Sequence, residues 1–167
     1  MKTLFESPPE STHLHGGETS TLDNSSPEIL HFQRILVPVK FPDVSPNTLE
    51  LATLFARSFH SEVTLLHVLE PKVSSGDAGS ASPHENLKSK LDHLRDAYLP
   101  PDISVNSLVE YNFLFDGILG AARRLPADLI VMTTYGREEL FSPASECVTA
   151  YVVDNAPCPV LIVRASA

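Results

Sequence analysis

The sequence predicts an α/β domain built on an open, parallel, doubly wound β-sheet. Five short apolar segments of strand length alternate along the chain with four segments of helical periodicity. Parallel strands are joined by right-handed crossovers, and helices then cover both faces of the sheet. The length of 167 residues fits one such domain with flexible ends.

Most of the predicted strands are continuous apolar runs, as expected when both faces of a sheet are covered. The five segments comprise residues 34–39, 63–69, 103–111, 128–133 and 160–163. The third segment alternates instead, and it places Val105 and Val109 on the same side.

The first helix is predicted to start at Ser45, an N-cap residue that is followed by Pro46 at the first helical position. Apolar residues at helical spacing are predicted to share one face of this helix. They are Leu51, Leu54, Phe55 and Phe59.

Three further helices complete the alternation. The second follows a Ser/Gly/Ala-rich loop at residues 71–82, begins at a capping box in residues 82–85 and stops at Pro100. The third spans residues 116–125 and carries two arginines near its end, which suits a helix C-terminus. The fourth passes through Val148, Tyr151 and Val152.

The first 31 residues are mostly polar and rich in Pro, Gly and Ser, so we expect a flexible arm ahead of a domain at residues 32–167. The net charge is −9 with only 12 Lys and Arg, which disfavours a nucleic-acid partner. Neither a secretory signal nor an apolar run of membrane-spanning length is present. Two cysteines are too few for a disulfide framework, so the sequence predicts a cytoplasmic protein that is not bound to membranes.

In a doubly wound sheet, ligands bind beyond the carboxyl ends of the strands. The segments to consider are therefore residues 39–44, 68–71 and 133–147. His67 lies inside the second predicted strand, where a histidine is expected to be a hydrogen-bonded core residue. We find no cluster of residues at metal-ligand spacing.

Four segments resemble the universal stress protein family in order and spacing: residues 34–39, 65–68, 127–132 and 156–163. The resemblance covers residues 32–164 and implies the strand order 3-2-1-4-5. It also implies dimerisation through the last strand, as in many members. From Val160 to Val163 this strand is uninterruptedly apolar, and an apolar edge needs a cover or a partner. We therefore expect a homodimer.

Members of this family that bind ATP carry a Gly-x-x-Gly followed later by Gly-Ser or Gly-Thr, after the fourth strand. The glycines let backbone N–H groups approach phosphate oxygens, and the helix N-terminus favours the anion. Here Thr133 stands at the first glycine position, Gly136 keeps the second, Glu146 replaces the third and Cys147 replaces the hydroxyl residue. The phosphate loop is thus degenerate.

Glu146 places a carboxylate where phosphate would approach. Two like charges about 4 Å apart near a protein surface repel by roughly 4 kcal/mol, before screening. The alternative interpretation is structural: a carboxylate in the first turn of the fourth helix would serve as the protein's own anion. Cys147 is interpreted as a small polar substitute for serine, and Cys158 as a small buried residue.

The rest of the family-equivalent nucleotide pocket comprises Val39, Lys40, Val68 and Arg137. ATP-binding relatives commonly have Asp at the position of Lys40 and use it near the adenine. A lysine cannot accept those hydrogen bonds, although it could contact a phosphate or remain a solvated surface charge.

Three functions follow from this resemblance. The first is a non-enzymatic stress-response protein that acts through dimerisation and contacts with protein partners, which the sequence does not name, with no cofactor and no bound ATP. The second is a regulatory switch that binds ATP or AMP through an altered pocket. The third, an ATP hydrolase, is the least favoured, because the sequence contains no Walker-type motif and no nucleophile–base pair.

Overall fold

The computed structural model describes residues 31–71, 83–134 and 147–165. The strands are β1 (Arg34–Pro38), β2 (Glu62–Leu69), β3 (Val105–Tyr111), β4 (Leu129–Thr134) and β5 (Val160–Arg164). The helices are α1 (Pro46–Phe59), α2 (Pro83–Tyr98), α3 (Leu114–Arg124) and α4 (Val148–Asn155). The predicted N-terminal arm and the predicted Ser/Gly/Ala-rich loop lie outside these ranges, apart from one bounding residue each.

The described strands form one parallel sheet in the order β3-β2-β1-β4-β5, which confirms the predicted topology. In the centre, Ile35 of β1 pairs with Val63 of β2 on one side and with Leu129 of β4 on the other. From β1 the chain moves outward to β2 and β3, and then returns to the other side of β1 for β4 and β5. The connection that follows β1 and the connection that follows β4 therefore run in opposite directions. This leaves a crevice between the carboxyl ends of these two strands.

Successive residues of the central strands point to opposite faces, and each face has its own apolar core. Ile35 and Val37 of β1 join one core, to which α1 and α2 contribute buried residues. Leu36 joins the other core, with α3 and α4. Because β1 and β4 are covered on both faces, their central residues, 35–37 and 129–132, are continuously apolar, and this is why they could be recognised as strands. Val105 and Val109 both belong to the first core, as predicted.

The predicted apolar face of α1 is wrong. The residues that the helix buries are Thr48, Leu49, Ala52 and Ala56, whereas Leu54 is 59% exposed. Small residues occupy this face because they let the helix axis approach the sheet closely. Phe55 and Phe59 lie at the margin of the interface, where their rings pack on Phe32 at centroid distances of 6.0 and 5.1 Å.

Some element ends differ from the prediction by a few residues. Helix α3 begins at Leu114, two residues earlier than expected, because the carboxylate of Glu70 accepts the Leu114 N–H at 3.3 Å and Asn112 accepts the Phe113 N–H at 2.8 Å. Strand β3 begins at Val105 rather than at residue 103. Ser82 of the predicted capping box lies outside the described residues. None of the described helices is both long and apolar enough to cross a lipid bilayer.

Candidate functional site

A cavity of about 370 Å³ opens at the carboxyl ends of the central strands, where the sheet topology predicts a binding crevice. Five of the eight predicted pocket residues line it: Val39, Lys40, Val68, Thr133 and Cys147. The other three, Gly136, Arg137 and Glu146, lie outside the described residues. The structure therefore brings together residues that are distant in sequence and that the family resemblance groups.

The described walls of the cavity are mainly apolar. Their apolar side chains come from both cores and from the loop after β1: Pro38, Val39, Phe41, Val44, Leu49, Leu66, Val68, Leu114, Ile118, Met132 and Val148. Such walls favour a ligand with a flat or apolar body, held by a small number of polar contacts.

Hydroxyl groups form a second part of the lining. Thr48 in the first turn of α1 and Thr133 near the end of β4 form a hydrogen bond with 2.7 Å between their Oγ1 atoms. Thr133 is the residue that stands where ATP-binding relatives have glycine. The Thr133 side chain is therefore hydrogen-bonded to α1 and occupies space that a glycine at this position would leave open.

Two other small polar residues lie at helix starts beside the cavity. Ser45 is the N-cap of α1, as predicted, but its side chain makes no capping bond because the Thr48 N–H bonds to the Ser45 carbonyl at 3.2 Å. Cys147 is the N-cap of α4 and is 3% exposed. Helix α4 starts at Val148, and Glu146, which is predicted to lie in its first turn, is outside the described residues.

The loop after β1 is held by β2. The Val39 N–H donates to the Leu66 carbonyl at 2.8 Å, and Nδ1 of His67 lies 2.9 Å from the Val39 carbonyl oxygen. The ring of Phe41 lies against the ring of His67, with 5.3 Å between centroids. His67 is hydrogen-bonded, as predicted, but it is half-buried and lines the cavity rather than the core.

Charged groups occur at the rim. Among the described lining residues there are one cation, Lys40, and two carboxylates, Asp43 and Glu70, and all three are exposed. The Glu70 carboxylate is engaged at the N-terminus of α3. Among the described residues we find no group of three or more His, Cys, Asp or Glu that could hold a metal ion.

Sequence reasoning missed the residues that helices contribute to the cavity. Phe41 and Glu70 fall within segments that the carboxyl-end rule selects, so a signal for them existed. Thr48, Leu114 and Ile118 come from α1 and α3, and only the packing of those helices on the sheet brings them to the cavity.

The two cysteines are expected to alkylate slowly, because the thiolate is the reactive form. Cys147 is buried, and burial, followed by the nearby carboxylate of Asp128, raises the pKa of the half-buried Cys158 thiol. In native protein, iodoacetamide should modify Cys158 more slowly than it modifies a small free thiol, and the rate should climb as pH rises. Mass spectrometry of the wild type and of Cys158→Ser distinguishes alkylation of Cys158 from alkylation of Cys147. Urea-unfolded protein, in which both thiols are accessible, serves as the control that reacts rapidly. Rapid modification of native Cys158 at neutral pH would contradict the expectation. The prediction that Cys158 is buried is wrong: Cys158 is half-buried, since it precedes β5, the last strand in the sheet order.

Comparison with known proteins gives a consistent result. The sequence profile of the universal stress protein family matches residues 31–164. Universal stress protein Sll1654 from Synechocystis is 25% identical over 144 residues, which cover 85% of this chain and 92% of that protein. The solved structure of universal stress protein UspA from Lactobacillus plantarum superposes with a TM-score of 0.53 at 25% identity, and the match covers 80% of this chain and 99% of that one.

A universal stress protein family protein from Arabidopsis thaliana, solved with AMP bound, shares the fold at a TM-score of 0.55 and 16% identity. The match covers 81% of this chain and 93% of that one. The family profile spans every described strand and helix. With its strand order, its cavity at the β1–β4 crevice and its sequence matches, this chain belongs to the universal stress protein family.

Proposed function

We propose that this protein is a non-enzymatic member of the stress-response family that does not bind ATP. The observation that carries this proposal is the composition of the cavity wall. A triphosphate needs cations or a cradle of backbone N–H groups. The described lining offers one exposed lysine, Lys40, beside two carboxylates, and the Thr133 hydroxyl is already bonded to Thr48.

The test of this proposal is the nucleotide content of the protein. Protein purified without added nucleotide is denatured, and the supernatant is analysed by mass spectrometry. We expect no stoichiometric ATP, and calorimetric titration with ATP should give no saturable heat. Stoichiometric ATP in the supernatant would overturn the proposal.

A second candidate function is binding of a nucleoside or nucleoside monophosphate. The volume of about 370 Å³ lies within the range of small-molecule sites, about 300–1,000 Å³. The Arabidopsis relative with bound AMP makes this ligand class relevant. Adenosine and AMP should then raise the thermal stability in a concentration-dependent way, and ATP should have a smaller effect. A flat response to all three compounds would exclude this candidate.

Catalysis is not part of the proposal. Cys147 and His67 both line the cavity, but in the part of the chain that the structure describes no hydrogen bond joins them as a nucleophile and base would be joined. We expect ATP hydrolysis at the rate of buffer alone. We propose a reducing cytoplasm as the compartment, because two cysteines are too few for a disulfide framework.

We further propose a homodimer through β5. This strand is the last in the sheet order and pairs with β4 along one side. Residues Val160 to Val163 are each only half-buried in the single chain. An apolar edge strand of this kind is stabilised when a second copy covers it.

The dimer predicts a specific effect of proline at residue 162. The Pro159 carbonyl and the Ala165 N–H both bond to β4, so alternation along the strand points the Ile162 N–H away from β4. Ile162→Pro removes this outward donor and should dissociate a dimer that pairs strand to strand. Ile162→Ala keeps the donor and is the matched control. Sedimentation equilibrium distinguishes them, and equal masses for the two variants would contradict edge pairing.

A further inference from the structure

The side chain of His67 has a defined protonation pattern. Its Nδ1 lies 2.9 Å from the carbonyl oxygen of Val39, and a carbonyl can only accept a hydrogen bond. The hydrogen must therefore be on Nδ1. In the neutral ring this leaves Nε2 without a proton, so that Nε2 is an acceptor.

The ring is also held in one orientation. Val39 is fixed from two sides, because its N–H donates to the Leu66 carbonyl at 2.8 Å while its carbonyl accepts from His67. The Phe41 ring packs against the imidazole at 5.3 Å. The hydrogen bond of Nδ1 thus holds the imidazole ring in place, whereas Nε2 has no hydrogen-bond partner among the described residues. His67 is half-buried and lines the cavity.

Several other polar groups of the lining are less suited to recognising a ligand, although the buried hydroxyl of Ser45 also has no hydrogen-bond partner among the described residues. The hydroxyls of Thr48 and Thr133 bond to each other. Lys40, Asp43 and Glu70 are exposed at the rim, where water competes for them. Around the imidazole the lining is apolar, with Val39, Phe41 and Leu66. A hydrogen bond lost in such surroundings leaves a polar group unsatisfied, which is what gives discrimination between ligands.

We infer that His67 is a specificity-determining residue of the cavity and that it selects a heterocyclic ligand carrying an N–H donor. This inference rests on the second candidate function, binding of a nucleoside. Nδ1 positions the ring through Val39, and Nε2 accepts from the ligand. A ligand of the same shape without the donor should bind about tenfold or more weakly.

The first test needs no ligand. Long-range ¹H–¹⁵N correlation spectra of histidine-labelled protein at alkaline pH report which ring nitrogen of each histidine carries the proton. The His67 signals are identified by their loss in His67→Asn. We expect protonated Nδ1 and unprotonated Nε2. A His67 ring protonated on Nε2 would overturn the inference, whatever the ligand.

The second test compares adenosine with purine riboside, which has the same rings and sugar but lacks the exocyclic amine. Wild type should bind adenosine about tenfold or more tightly than purine riboside in calorimetric titrations. In His67→Asn the amide can still donate to the Val39 carbonyl, but the Nε2 acceptor is gone. This variant should bind both compounds equally and so lose the wild-type preference for adenosine.

The matched control is His60→Asn, the same exchange at an exposed site. His60 has a left-handed backbone with φ of 56°, which asparagine tolerates, so this variant should keep the wild-type preference. A purely structural role of His67 would weaken both compounds to the same extent. Equal binding of the two compounds by wild type, or a preference that survives in His67→Asn, would overturn the assignment to His67 alone. Absence of binding by both compounds in wild type would overturn the nucleoside function itself and the ligand selection with it.

Discussion

The triple substitution Thr133→Gly, Glu146→Gly and Cys147→Ser should increase the affinity for ATP by about tenfold or more. It restores the glycines and the hydroxyl that ATP-binding relatives carry at these positions. It also removes one carboxylate, and a quarter of a like-charge repulsion of roughly 4 kcal/mol already corresponds to about fivefold in affinity. Glycine at residue 133 further removes the side chain that is bonded to Thr48. Calorimetric titration with ATP measures the effect.

Two controls accompany the triple variant. Glu85→Gln removes the same charge from the first turn of α2, whose residues do not line the cavity, and should leave ATP affinity unchanged. Circular dichroism must show that the triple variant is folded, because losing the Thr48–Thr133 bond costs about 1 kcal/mol and glycine in a strand about 0.5–1 kcal/mol more. A folded triple variant that still fails to bind ATP would contradict the proposed cause. It would indicate that another residue prevents ATP binding, for example Lys40, which lines the cavity.

Gly117→Ala should destabilise the protein relative to Gly120→Ala by about 1–3 kcal/mol, the usual cost of overpacking a core. A Cβ on Gly117 would lie 2.7 and 2.8 Å from the two Cγ atoms of Val68, closer than such atoms approach. The branched valine side chain has little freedom to move aside. Alanine is favoured over glycine in a helix by about 1 kcal/mol, but both variants gain this preference, so it cancels from the comparison and leaves the clash.

Gly120 is the matched control because it lies on the same helix, and a Cβ there meets no atom within 4 Å. Gly120→Ala should therefore stabilise the protein by up to about 1 kcal/mol. Urea denaturation of the two variants gives the difference in free energy of unfolding. Equal stability of the two would show that α3 can move away from β2 at little cost. Val68 also lines the cavity, so its displacement in Gly117→Ala should weaken any ligand that binds there.

Several features of this protein could be predicted from its sequence. The central strands were identifiable because residues covered on both faces must be apolar, and a short continuous run such as residues 129–132 is typical of a buried strand. The helix start at Ser45-Pro46 followed from local chemistry, namely a cap residue before a proline. The family resemblance supplied the strand order and five residues that the structure places around one cavity.

The errors in the prediction have a common origin. The face of α1 was wrong because hydropathy favours Leu54 and Phe55, whereas close contact with the sheet selects the small residues Ala52 and Ala56. Helix α3 starts earlier than its own pattern indicates because Glu70, at the end of another strand, bonds to its first N–H. In both cases the deciding contact joins residues far apart in sequence.

The amino-acid sequence alone was sufficient to infer the fold class, the alternation of elements and the loss of the glycines expected in a phosphate loop. These features depend on local hydropathy, local backbone preference and residue identity. The folded structure was needed to show that Thr133 is bonded to Thr48, and that His67 is hydrogen-bonded to Val39 with no partner for Nε2 among the described residues. These contacts span 85 and 28 residues of sequence, so they exist only once the strands and helices have packed together.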